Sequence, residues 1–99
     1  MTEVRYTIEG GMCDLKCDGH ATGDPAVCAA VSALTQTLLG LLLNLRQNNA
    51  AEIMEQECKE GYFHVHAFGG AGVNMAFSMI TFGLEQLAHS FPQQISVKK

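Results

Sequence analysis

The chain reads as an α+β domain of two layers, a mostly antiparallel sheet with two helices on one face, in the order strand-strand-helix-strand-strand-helix-strand. Three observations lead there. Apolar and polar residues alternate in short runs near the N-terminus and again past the middle, the period of a half-buried strand. Glycine-containing turns join these runs in pairs, as hairpins require. Two longer stretches instead repeat their apolar residues at three- and four-residue steps, the period of a helix facing a core. Both helices are most simply accommodated on one face of the sheet.

Val4, Tyr6 and Ile8 alternate with Arg5, Thr7 and Glu9, and Gly10-Gly11 turns the chain into a second run in which Cys13, Leu15 and Cys17 share one face. Gly19 ends that run. Asp24 is a good N-cap and Pro25 suits the first helical position. Val27, Val31, Leu34, Leu38, Leu41 and Leu45 then form the stripe expected to face the core, and Asn48-Asn49 stop the helix. Residues 51–59 mix their signals; they read as a strand because Glu60-Gly61 and the run from Tyr62 to Phe68 complete a second hairpin. In that run Phe63, Val65 and Ala67 share one face, and Tyr62, His64, His66 and Phe68 the other. Gly69-Gly70-Ala71-Gly72 reads as a tight turn into a second helix with Val73, Phe77, Ile80, Leu84, Leu87 and Phe91 as its stripe. Met54, Met75 and Met79 fall at core-like positions. Pro92 stops the helix, and Ile95 and Val97 suggest a last short strand.

Ninety-nine residues, 47% of them hydrophobic, suit one domain with one core, spanning 1–99. A net charge of −4 argues against nonspecific binding to nucleic acid. The first residues carry no apolar signal region, and the longest unbroken apolar run, Leu38 to Leu43, includes Gly40 and is too short for a bilayer. The expectation is a cytoplasmic protein with no membrane contact, its four cysteines reduced.

The chemistry-bearing segment runs from Gly19 to Leu34. A histidine ends a strand, a glycine-containing loop follows, and Cys28 falls in the first turn of the helix. An ordinary thiol, with a pKa of about 8.5, is mostly protonated at neutral pH. Unpaired N–H groups at a helix start favour the thiolate, and an imidazolium beside it does the same. Eight steps of chain separate His20 from Cys28, a span that stretches to roughly 28 Å or folds back to contact. Cys28 lines up with Ser32 and Thr35 on the flank of the helix rather than on its main stripe. On the residues alone two readings stand: a Cys-His pair, or a small cysteine filling space above the sheet with a histidine that merely ends a strand.

This segment resembles the signature of the ribosomal-processing cysteine protease family, Prp: Gly19-His20-Ala21, a loop with glycine and aspartate, then Val27-Cys28-Ala29-Ala30-Val31-Ser32-Ala33-Leu34. The tail, Gly83 to Ala88, Phe91-Pro92 and Ile95-Ser96-Val97, is also similar, so the resemblance covers nearly the whole chain. It implies a small cytosolic homodimeric cysteine-type endopeptidase, a thiol protease. Such an enzyme removes a short N-terminal extension from the large-subunit ribosomal protein numbered twenty-seven during ribosome assembly. It further implies Cys28 as nucleophile and His20 as general base and acid, with Ala21, Gly23, Asp24 and Ser32 about the bound peptide and no cofactor. The family's segment between histidine and cysteine is usually longer, with aspartate three residues before the cysteine; here Pro25 stands there and Asp24 one step earlier. That departure keeps a second class open, a non-catalytic dimeric ribosome-associated binding domain of the same fold.

Other features carry weaker signals. Cys13 and Cys17, three residues apart on a strand, lack a usual zinc spacing and read as core residues. His64 and His66 share a sheet face and read as interface or solvated residues, with a metal or small-molecule role the weaker alternative. The glycine turn before the second helix is neither of the familiar phosphate-binding motifs.

Overall fold

A computed structural model describes residues 1–19 and 25–99 of the chain. The expected elements are present and in the expected order: β1 (Thr2–Glu9), β2 (Met12–Asp18), α1 (Pro25–Gln47), β3 (Ala51–Lys59), β4 (Tyr62–Gly69), α2 (Ala71–Ser90) and β5 (Ile95–Lys98). The five strands form one sheet in the order β3-β4-β2-β1-β5. Three of its pairings are antiparallel, and β5 returns parallel to β1 after the α2 crossover. A bulge between Ile53 and Glu55 interrupts the β3–β4 ladder, which explains the mixed pattern of that segment.

The period-2 alternation does what it implied. Val4, Tyr6, Cys13, Leu15, Cys17, Phe63, Val65 and Ala67 are buried on the face that carries both helices. Tyr6 is pinned at its outer end, where its hydroxyl donates to the Glu85 carboxylate of α2. Gly69 is required where it stands, because a Cβ there would meet the Ala50 carbonyl and the Val73 side chain, each at 2.6 Å. The close approach of the start of β3 thus explains the tight turn.

The stripe of α2 is as expected, whereas that of α1 shifts in its second half. In α1 the buried residues are Val27, Thr35, Leu38 and Leu42, whereas Leu41 is 40% exposed. Leu38 and Leu42 are fully buried, and each such side chain contributes about 1.5–3 kcal/mol of transfer free energy. By length and composition α1 is also apolar enough to cross a membrane, which a search for unbroken apolar runs does not register. In the fold it lies over the sheet and against α2, where Leu34 packs on Gly83 so closely that a Cβ would stand 3.1 Å from its Cδ2. In α2, Val73, Ala76, Phe77, Ile80, Thr81 and Leu84 are buried. Met54, Met75 and Met79, expected in the core, are instead 51%, 61% and 63% exposed. Met54 falls at the bulge; Met75 and Met79 lie on the outer side of α2, beyond the arc that the sheet and α1 cover.

Candidate active site

The N-terminal half of α1 leans over the end of the sheet where β2 finishes and the β3–β4 hairpin turns. Between them opens a cleft of about 310 Å³, lined by Cys28, Ser32, Thr35 and Gln36 from the helix, by Cys17 and Gly19 from the end of β2, and by the 58–63 hairpin turn. Cys28 is half-buried in the first turn of α1, which begins at Pro25 as the sequence indicated. Ser32 is exposed one turn further on, and Thr35 is buried with its hydroxyl donating to the Val31 carbonyl at 3.0 Å. The flank of α1 read from the helical period is therefore the wall of the cleft. His20, Ala21, Gly23 and Asp24 lie outside the described residues, so the pairing of His20 with Cys28 and the capping by Asp24 do too.

The opposite wall was not legible as part of a site. The Gly19 amide donates to the Gly61 carbonyl at 2.8 Å, fastening the end of β2 to the hairpin turn. Gly19 itself has φ +101, and a Cβ there would meet the Met1 carbonyl, so only glycine fits. Gln36 Nε2 donates to Cys58 Sγ at 3.0 Å across the cleft. Lys59 pairs with Glu57 at 3.2 Å, and its ammonium sits 5.4 Å from the centre of the Tyr62 ring. The sequence signalled the turn at Glu60-Gly61 but not its position facing Cys28, which follows only from the sheet order.

The four thiols differ in setting, and none is in a disulfide. Cys17 lies on the cleft floor, where burial pushes its thiol up from 9.0 to about 12. It is thus a protonated, inert group at neutral pH. Burial also raises Cys13, whose Sγ is 3.3 Å from Asn74 Oδ1. Both are core residues, as expected. Cys58 is exposed on the edge strand and accepts a hydrogen bond from Gln36 in the middle of α1. Cys28 alone combines access to the cleft with a place in the first turn of a helix.

His64 and His66 stand on the other sheet face. Asp14 Oδ2 lies 2.9 Å from both His64 Nε2 and His66 Nδ1, and His64 Nδ1 lies 2.9 Å from Glu55 Oε2. The two rings thus brace β2, β4 and β3 across the sheet. This face is charged between its aromatic ends, Tyr62 and Phe68, rather than aromatic throughout. Among the described residues, no group of three or more His, Cys, Asp or Glu side chains is arranged to hold a metal ion.

The molecule is thus an α+β domain with a cysteine in the first turn of its long helix, on the wall of a cleft. The model of one family, the cysteine protease Prp, matches residues 1–96, and the chain belongs to that family. Its fold is also that of solved structures over nearly all of their length. The ribosomal processing protease Prp of S. aureus, in complex with a covalently linked product peptide, superposes with a TM-score of 0.77 at 19% identity, covering 100% of both chains. The same S. aureus protease with a substrate peptide gives 0.68 at 18% identity, over 99% of this chain and 97% of that one. SMU.848 from Streptococcus mutans gives 0.70 at 20% identity, over 99% and 92%. No curated protein sequence matches.

Proposed function

We propose that this chain is a cysteine endopeptidase that removes a short N-terminal extension from a large-subunit ribosomal protein, the one numbered twenty-seven, during ribosome assembly in the cytoplasm. The observation that carries the proposal is the placement of Cys28 on the cleft wall in a chain matched by the Prp model over residues 1–96. The substrate class follows the S. aureus relative, a ribosomal processing protease bound to product and substrate peptides. Four cysteines without a disulfide suit a reducing compartment.

In this reading the Cys28 thiolate attacks the scissile carbonyl, and backbone N–H groups at the start of α1 hold the oxyanion. Collapse of the tetrahedral intermediate leaves a thioester on Cys28, and the imidazolium of His20 protonates the departing amine, the new N-terminus of the substrate. Neutral His20 then takes a proton from water, which attacks the thioester and releases the extension as a carboxylate. Ala21, Gly23, Asp24 and Ser32 flank the peptide. The protein acts as a homodimer; Met75, Met79 and Phe82 support this, a stripe on α2 exposed at 61%, 63% and 63%.

Incubation with a synthetic N-terminal peptide of the ribosomal protein, followed by mass spectrometry, tests the reading. The wild type is expected to cut once, and Cys28→Ala and His20→Ala to lose about a thousandfold or more in rate. Peptide bound but left intact by the wild type would refute the enzyme and establish the binding-domain alternative, which the short segment between His20 and Cys28 favours. Light scattering on a Met79→Glu/Phe82→Glu variant tests the dimer.

A further inference from the structure

The sheet face turned away from the helices carries a file of positive charge. Strand register sets Lys98 beside Arg5 and Arg5 beside Lys16, three cations in one row across β5, β1 and β2, which runs on to His64 of β4 and Glu57 of β3. At the usual strand spacing the three cations span about 10 Å. Arg5, Lys16 and Lys98 are exposed, as is Lys99 at the chain end, so four of the six lysines and arginines of an acidic chain gather here.

Like charges directly opposite one another on neighbouring strands are destabilising. Among the described residues none of these four cations is in an ion pair. Of the acids on this face, Asp14 is engaged by both imidazoles, while Glu3 and Asp18 lie opposite each other in the row next to Arg5 and Lys16. Arg5, Thr7, Lys16 and Lys99, with Tyr6 and Asp14, line a shallow depression of about 250 Å³. Cations with a hydroxyl at the edge of an open basin form a phosphate-binding set.

We propose that this row is a docking surface for single-stranded RNA, bound through its phosphodiester backbone. Width argues for a single strand. Glu3 and Asp18 lie opposite each other in the next outward-facing row, about 7 Å away, and would repel the second strand of a duplex. Continuity argues for a polynucleotide. Its backbone carries a charge on every residue, whereas an extended acidic peptide turns only alternate side chains toward one face. The negative net charge that argued against nucleic acid is an average over the chain; the row is local and lies on the opposite sheet face from the thiol. The proposal does not depend on the chemistry at Cys28.

Fluorescence anisotropy of a labelled short single-stranded RNA, read against salt, tests it. With four phosphate contacts the affinity of the wild type should fall about 50-fold between 50 and 200 mM salt, and that of Arg5→Gln/Lys16→Gln only about sevenfold from a weaker start. Arg46→Gln, on the far layer, should bind as the wild type does. Circular dichroism confirms that the variants fold. Absence of binding at low salt, or an unchanged salt slope in the double variant, would overturn the proposal. So would displacement of the RNA by inorganic phosphate at equal phosphate concentration, or equally tight binding of a polyglutamate peptide.

Discussion

The Gly19 amide and the Gly61 carbonyl, 2.8 Å apart, tie the end of β2 to the hairpin turn within the cleft wall that faces α1, just before the segment that carries His20. Gly19 can occupy this position because it lacks a Cβ, at φ +101 and against the Met1 carbonyl.

Gly19→Ala is therefore expected to cost about 1–3 kcal/mol of stability. Thermal unfolding checks it, and peptide cleavage should fall more than the melting temperature alone accounts for. A variant with wild-type stability would show that the strand end relaxes without consequence.

Cys28 should alkylate faster than Cys58 although it is the less exposed of the two. Iodoacetamide labelling followed by mass spectrometry across pH separates them, with Cys13 and Cys17 last. Equal rates at positions 28 and 58 would remove the case for an activated nucleophile.

Leu42→Ala should destabilise by about 2–5 kcal/mol, in line with large-to-small changes in cores. Leu41→Ala, at a position 40% exposed, should cost far less. Urea denaturation of the pair fixes the phase of α1 against the sheet, and equal losses would contradict it.

Stability should decline in alkali. Burial raises the Cys17 thiol from 9.0 to about 12. The hydrogen bond to Glu85, with burial and the Glu85 charge, raises Tyr6 above 10.0. A raised folded-state pKa gives stability that is complete below the unfolded value and lost as pH climbs through the folded one. The loss should therefore run from about pH 9 towards 12. Cys17→Ala should flatten that decline while lowering stability at neutral pH. Tyr6→Phe should remove about 1 kcal/mol below pH 10. Denaturant midpoints measured across this range check both variants.

Elements separated by glycines and marked by their period were legible in the sequence: alternation in β1, β2 and β4 states which side is buried, whatever the partner. The phase of α1 past Leu38 was not, because the run Leu38-Leu39-Gly40-Leu41-Leu42-Leu43 offers apolar residues on every side and only packing against the sheet selects Leu42. Met75 and Met79 misled for a related reason, since their hydrophobicity is compatible with a core while their angle on α2 is not. Cys28 and its flank were readable because one helix carries them. The facing wall, Cys58 and the turn at Gly61, depends on β4 lying next to β2, a long-range fact that no local pattern encodes. The row from Lys98 to His64 needs the parallel return of β5 as well.

β3 ends the sheet on one side with nine residues, nearly all exposed, and its outer backbone groups are open to any passing chain. Glu52, Glu55, Glu57 and the bulge after Ile53 guard that border. Replacing the three glutamates with threonine or valine should leave the monomer folded yet invite other copies to add on as new strands, turning a protease domain into a fibre-former.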